Sequence, residues 1–295
     1  MSDFPFGRLL TAMATPFHAD GAINFDAVAQ LANHLADTGS DGLVITGTTG
    51  ESPTLSRDEK LELYRVVKDA VGDRARVIAG TGNYNTRESI ELTGAAEAVG
   101  VDGVMLVVPY YNNPPQEGLY QHFSAVAAST SLPIILYNVP SRAPRNLESA
   151  TAIRLSQIEN IVAVKEASGK LEQITEIVAG AAPGFQVYSG DDSATLPLLA
   201  LGGYGIISVA SHVAGRLIRE MLDAFVAGRV AEAAALHGRL LPLFQACFCT
   251  TNPIPIKAGV NLLGIPAGGV RLPLIPADDT VIAAMRREMQ RLELL

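Results

Sequence analysis

The chain has 295 residues, of which 48% are hydrophobic and 18% charged, and its net charge is -8. This composition supplies a large core and excludes a disordered chain. The acidic balance argues against the basic face that nucleic-acid binding needs, and no apolar run approaches the ~20 residues of a membrane span. An acidic protein still holds anionic substrates where a local Arg or Lys is placed to receive them.

The N-terminal stretch, Met1 to Arg8, lacks the basic and then apolar pattern of an export signal. Short apolar runs then alternate with helical patterns. A strand candidate at 8–14 precedes a helix over 26–38, with Asp26 as a plausible N-cap and Gly39 after its end. The run 42–46 precedes a helix over 56–71 that stops before Gly72. The run 76–79 precedes a helix over 86–99, with Glu88 in its first turn and Gly100 beyond its end. Strand candidates 103–108, 133–137 and 161–164 alternate with helices over 116–129, 147–156 and 171–179, and 186–188 and 205–209 complete the set. Most runs are rich in Val and Ile, as strands buried on both faces are; 186–188 is the weakest.

Eight strand candidates separated by helices predict a parallel sheet with right-handed crossovers. The expected fold is an α/β (β/α)8 TIM barrel, which needs ~250 residues. An open doubly wound sheet is the rival, but the first βα turn carries no dinucleotide fingerprint. Helical patterns at 216–225, 230–240 and 279–294 read as an appended region, broken by a tight turn at Asn252-Pro253-Ile254-Pro255-Ile256. The chain thus divides into a catalytic barrel, 1–225, and a C-terminal helical extension, 226–295. Two cysteines, Cys247 and Cys249, are too few for a disulfide framework or a metal site and read as core thiols of a reducing cytoplasm. The five histidines do not cluster, so no metal is expected.

Barrel enzymes build their sites at the C-terminal ends of the strands. Those ends here carry Gly47-Thr48-Thr49-Gly50-Glu51, Pro109-Tyr110-Tyr111-Asn112, Tyr137-Asn138-Val139-Pro140-Ser141-Arg142, Lys165-Glu166 and Ser189-Gly190-Asp191-Asp192. Of five lysines, only Lys165 continues an apolar strand pattern, and with period 2 it shares a face with Ile161 and Ala163. Burial lowers a lysine's pKa and frees an amine able to form a Schiff base with a ketone. A strand-end lysine paired with Glu166 or Asp191 is an equal alternative on position alone. Tyr137 suits a proton shuttle beside such an amine, or is simply an amphipathic rim tyrosine. Thr48 and Thr49 offer hydroxyl and backbone donors, or only turn chemistry. Arg142 is a fork for a carboxylate, or a solvated loop residue. Gly190 lets backbone approach a ligand, or serves a turn.

In this order, together with Thr11-Ala12, Thr15-Pro16-Phe17 and Asn252-Pro253-Ile254-Pro255, these motifs resemble the pyruvate-dependent Schiff-base lyases, the N-acetylneuraminate lyase and dihydrodipicolinate synthase superfamily, nearly end to end. Within it the dihydrodipicolinate synthase family is most similar. The resemblance implies that Lys165 forms an imine with pyruvate and that the enamine condenses with L-aspartate 4-semialdehyde. The product would be 4-hydroxy-tetrahydrodipicolinate, at the first committed step of the diaminopimelate route to lysine. It further implies that Tyr137, Thr49 and Tyr111 relay protons, with Tyr111 supplied by a neighbouring subunit. Thr48 and the Thr49 backbone would hold the pyruvate carboxylate, Arg142 that of the aldehyde, and Gly190 and Ile207 would line the pocket through backbone groups. No organic cofactor is implied, and a cytoplasmic homotetramer, a dimer of dimers, is expected.

Arg142 follows the Tyr-Asn-Val-Pro turn where sialic acid lyases generally lack it, whereas Ala143 stands where many relatives carry a small hydroxyl residue. A polyol or aromatic aldehyde is the nearest alternative substrate, and a silent barrel binding a small acid is a different class; joint retention of Lys165, Tyr137 and Thr49 argues against the latter. A lysine-regulatory site of the family maps to Ser52, Pro53, Arg57, Lys60, Tyr84, Glu88 and Tyr110. Lys60 would place a cation where an effector's ammonium goes, so weak or absent lysine inhibition is expected.

Overall fold

The computed structural model describes residues 5–295. Residues 1–4 begin the stretch read as free of an export signal, and they lie outside the described residues. Eight apolar runs form the strands β1 Leu9–Ala12, β2 Gly42–Ile45, β3 Arg76–Gly80, β4 Gly103–Val107, β5 Ile134–Asn138, β6 Ile161–Glu166, β7 Gln186–Ser189 and β8 Gly205–Ser208. All neighbours pair in parallel and in sequence order, and β8 returns to β1 with Leu10 opposite Ile207, closing the barrel. The strand at 186–188 exists and gains Ser189.

The helices are α1 Phe25–Asp37, α2 Arg57–Val71, α3 Thr86–Val99, α4 Gln116–Ala127, α5 Ser149–Leu155, α6 Leu171–Gly180, α7 Thr195–Ala200, α8 Ser211–Val226, α9 Val230–Ala246, α10 Ile254–Leu262 and α11 Asp279–Arg291. Their starts follow local chemistry. Ser56 and Glu59 close a capping box on α2, each side chain bonded to the other residue's backbone N–H. The N-cap of α1 is Asn24, whose side chain accepts from Ala27 N, and not Asp26, which sits in the first turn.

Other sequence expectations need correction. Helix α7 has only 6 residues, too few for an apolar period to show. Helix α8 begins at Ser211, five residues before the 216 expected. The proline-rich break at 252–256 is the entry of a helix, α10, because proline is tolerated in a first turn where its missing N–H has no partner to lose. Of the two cysteines read as core thiols, Cys247 is buried at the end of α9 and Cys249 is exposed, so only Cys247 is a core thiol.

The principal core joins the barrel strands to the helix layer, with Leu10, Leu43, Val77, Ile78, Leu106, Ile135 and Leu136 all fully buried. Fully burying one such side chain contributes ~1.5–3 kcal/mol. A second cluster takes Leu9 and Ile206 from β1 and β8 and packs them with Met221, Leu240, Leu243, Met285 and Met289 of α8, α9 and α11. The last helices therefore lie against the barrel's closing seam and bring the start of α10 to the rim. Among the described residues no helix is long and apolar enough to cross a membrane.

Candidate active site

Strand alternation decides which way the β6 side chains point. Tyr137 of β5 is in register with Lys165 of β6, and Asn138 with Glu166. Asn138 Nδ2 donates to both Glu166 oxygens at 3.2 and 3.0 Å, and Gln173 Nε2 of α6 and Ser168 N also donate to that carboxylate. Glu166 is thereby satisfied on the helix side, so its neighbour Lys165 faces inward. Asp191 accepts from Ser193 N and Oγ, capping the turn after β7. Among the described residues neither carboxylate pairs with Lys165, which sets aside the ion-paired alternative.

Lys165 is 5% exposed, and its Nζ lies 4.3 Å from the centroid of the Tyr137 ring. Burial lowers its pKa to about 8. The carboxylate of Asp192 opposes this shift and the Arg142 cation adds to it. Asp192 was not singled out in the sequence. It is buried and accepts from Ser208 Oγ at 2.5 Å, Val209 N at 3.0 Å and Ala210 N at 3.2 Å, locking the turn from β8 into α8. Burial also raises the pKa of the Tyr137 phenol, against the influence of the Thr48 side chain and Arg142.

Thr48, Thr49, Tyr137, Arg142, Lys165 and Gly190 line one cavity of about 470 Å³, with apolar walls that include Val139, Val209 and Phe244. Gly190 owes its identity to its neighbours: a Cβ there would stand 2.7 Å from Ala167 Cβ and 3.1 Å from Lys165 Cε. Thr49 is buried, and its hydroxyl accepts from Asn252 Nδ2 at 2.9 Å. The Thr48 side chain is the threonine group that opposes the rise in the Tyr137 pKa. Arg142 is exposed at the mouth, its Nη2 donating to Asn252 O at 3.4 Å. Ile207 is a buried residue of β8 and is not among the side chains lining the cavity. Tyr111 is 86% exposed, outside the chain's own cavity, with its ring 6.3 Å from that of Tyr84.

A second opening shares Thr48, Tyr137 and Arg142 and continues to Ser52, Pro53, Lys60, Tyr84 and Tyr110. Five of the seven regulatory candidates therefore border a hollow continuous with the lysine cavity; Arg57 and Glu88 are not in its lining. Glu88 accepts from Asn83 and Asn85 and opposes the lowering of the Lys60 pKa that burial causes.

Two further residues escaped the sequence reading. Asn252 looked like punctuation but borders both openings and touches Thr49 and Arg142. Lys257 was passed over because it continues no strand pattern, but it is 2% exposed, bonded to Thr15 O at 2.8 Å and Glu51 Oε1 at 3.2 Å. The signal available was the Asn-Pro-Ile-Pro-Ile-Lys run, whose prolines announce a helix start. Of the two buried lysines, Lys257 is committed to a carboxylate and Lys165 is not. An uncommitted, partly deprotonated amine beside a phenol is equipped to attack a ketone and pass protons.

The model of the dihydrodipicolinate synthetase family matches residues 5–292. A 4-hydroxy-tetrahydrodipicolinate synthase of Moorella thermoacetica is 63% identical over 286 residues, covering 96% of this chain and 98% of its own length. One of Heliobacterium modesticaldum is 57% identical over 282 residues, covering 96% and 94%. The crystal structure of DHDPS from Cyanidioschyzon merolae with lysine bound superposes with a TM-score of 0.98 at 47% identity, covering 99% of this chain and 100% of that one.

Proposed function

Because this chain belongs to the dihydrodipicolinate synthetase family, we propose that its cavity condenses pyruvate with L-aspartate 4-semialdehyde to 4-hydroxy-tetrahydrodipicolinate, a lyase reaction of lysine and diaminopimelate biosynthesis. The observation that carries the assignment of roles is the Lys165 amine, buried, in no ion pair among the described residues and set against Tyr137 in a cavity with Arg142 at its mouth.

Lys165 attacks the pyruvate ketone and expels water to form an imine. Loss of a methyl proton gives the enamine, whose carbon bonds to the aldehyde carbon of the second substrate. The amine of the bound adduct then attacks the imine carbon, closing the ring and releasing Lys165. Tyr137 moves the protons together with Thr49. Thr48 and the Thr49 backbone hold the pyruvate carboxylate, and Arg142 holds that of the semialdehyde by paired charged hydrogen bonds. Gly190 keeps the approach to the amine open, and Ile207 contributes through its backbone. No organic cofactor enters the scheme.

Tyr111 completes the relay from a neighbouring subunit in a tight dimer, and two such dimers make a cytoplasmic tetramer. Its exposure and distance from the chain's own cavity support supply in trans. Residues 226–295 act as a helical extension of the catalytic barrel. The hollow bordered by Ser52, Pro53, Lys60, Tyr84 and Tyr110, with Arg57 and Glu88 nearby, is a lysine-regulatory position in which Lys60 supplies a cation of its own.

The test is turnover of both substrates coupled to the NADPH-dependent reductase that consumes the product. Turnover secures chemistry and substrate together. Pyruvate trapped on Lys165 by borohydride without turnover would leave the imine intact and direct the search to a sugar-derived or aromatic aldehyde.

A further inference from the structure

We propose that the buried ion pair between Glu51 and Lys257 is a positioning device, by which helix α10 sets the turn carrying Thr48 and Thr49 for the 2-oxo acid. It rests on the reading that this turn holds the pyruvate carboxylate.

The turn is bracketed by two residues with left-handed backbone, Thr46 and Glu51, both at φ 56°. That conformation is unfavourable for residues with a Cβ, above all a β-branched one, and persists only where surroundings impose it. At the first end, Thr46 Oγ1 bonds the Tyr64 hydroxyl at 2.8 Å and donates to Gly80 O at 3.1 Å. At the other, Glu51 Oε1 accepts from Lys257 Nζ at 3.2 Å and Oε2 from Arg271 N at 2.9 Å.

Lys257 is itself fixed. Its Nζ donates to Thr15 O at 2.8 Å, and Thr15 Oγ1 donates back to Gly50 O in the turn at 2.7 Å. The ring of Phe17 lies 4.2 Å from the Lys257 ammonium and 4.5 Å from the Arg271 guanidinium. The same segment reaches the turn once more through Asn252 Nδ2 on Thr49 Oγ1.

Stability alone is a poor reason for this pair. The two side chains are 2% and 1% exposed, and a buried ion pair repays its desolvation only marginally, so apolar residues of similar volume are often as stable or more so. A charged pair does what an apolar contact does not: it fixes a strained carboxylate in direction and distance, and with it the donors next to it in the chain. Neither residue touches the reacting atoms.

The experiment compares the full-length enzyme with Glu51→Gln, Lys257→Met and the double variant, reading both KM values, kcat, thermal unfolding, and borohydride capture of pyruvate on Lys165 by mass. The expected result is a pyruvate KM raised by about tenfold or more, a semialdehyde KM within about twofold of the parent, and complete capture at saturating pyruvate. The double variant leaves no unpaired buried charge; it is expected to fold if either single variant does not, and to keep the raised pyruvate KM. Three outcomes would overturn the proposal: an unchanged pyruvate KM with only a lower unfolding temperature, both KM values rising alike while kcat falls, or a double variant that does not fold. Absence of capture in the parent enzyme would instead strike the imine reading itself.

Discussion

Lys165 and Tyr137 occupy matched positions on adjacent parallel strands, with the amine 4.3 Å from the phenol ring centroid, while the next pair along, Glu166 and Asn138, bond to each other on the opposite face. One step of strand alternation therefore separates the reacting pair from a structural one. Replacing Lys165 by Ala removes the nucleophile and is expected to lower turnover by ~10³-fold or more. The fold should survive, checked by circular dichroism and unfolding. Normal turnover by Lys165→Ala would sink the mechanism.

The amine must be neutral to attack, and burial brings its pKa down to about 8. The sign follows directly: below that pH the ammonium dominates, and each unit of acidification removes about tenfold of the free amine. The rate of imine formation with pyruvate should rise with pH up to about 8 and then level. Asp192 favours the protonated form, so Asp192→Asn should move the midpoint to lower pH. A profile that is flat between pH 6 and 9 would contradict the assignment.

Gly190 has no room for a side chain beside the lysine stem, with Lys165 Cε 3.1 Å and Ala167 Cβ 2.7 Å from where a Cβ would sit. Gly190→Ala should cost ~1–3 kcal/mol through overpacking and slow imine formation by displacing the amine. Crystallography of the variant and single-turnover trapping would show whether both effects occur; an unmoved Lys165 with a parental trapping rate speaks against it.

Arg142 makes one long contact, 3.4 Å to Asn252 O, and is otherwise free at the cavity mouth. Loss of its charged hydrogen bonds to a substrate carboxylate is worth ~2–3 kcal/mol, about 30- to 150-fold in semialdehyde kcat/KM. Arg142→Ala should leave pyruvate trapping close to parental. Equal damage to both substrates would make the residue structural, or a ligand of pyruvate as well.

Lys60 and Tyr84 border the hollow next to the site, and Glu88 is the charge that favours the Lys60 ammonium. A resident cation there should weaken binding of a free lysine ammonium. Turnover is expected to persist at millimolar lysine, and Lys60→Ala to increase inhibition. Strong inhibition of the parent enzyme by low-millimolar lysine is the result that would refute this.

Much of the molecule was legible before folding. The alternation of Val- and Ile-rich runs with capped amphipathic helices specifies eight βα units because backbone pairing and burial are local demands, met by neighbours in sequence. Lys165 stood out because a charge inside an apolar strand pattern is costly unless it is used. The tertiary structure alone decided the contacts between distant segments. That Asn252 bonds Thr49, 203 positions away, and that Lys257 holds Glu51, 206 positions away, follow from closure of the barrel and the return of α10 to its rim. The carboxylate that acts on the lysine is Asp192, not its sequence neighbour Glu166, because strand geometry turns adjacent side chains to opposite faces. Sequence determines which side chains are present and how each strand alternates; closure brings together side chains that no local pattern relates.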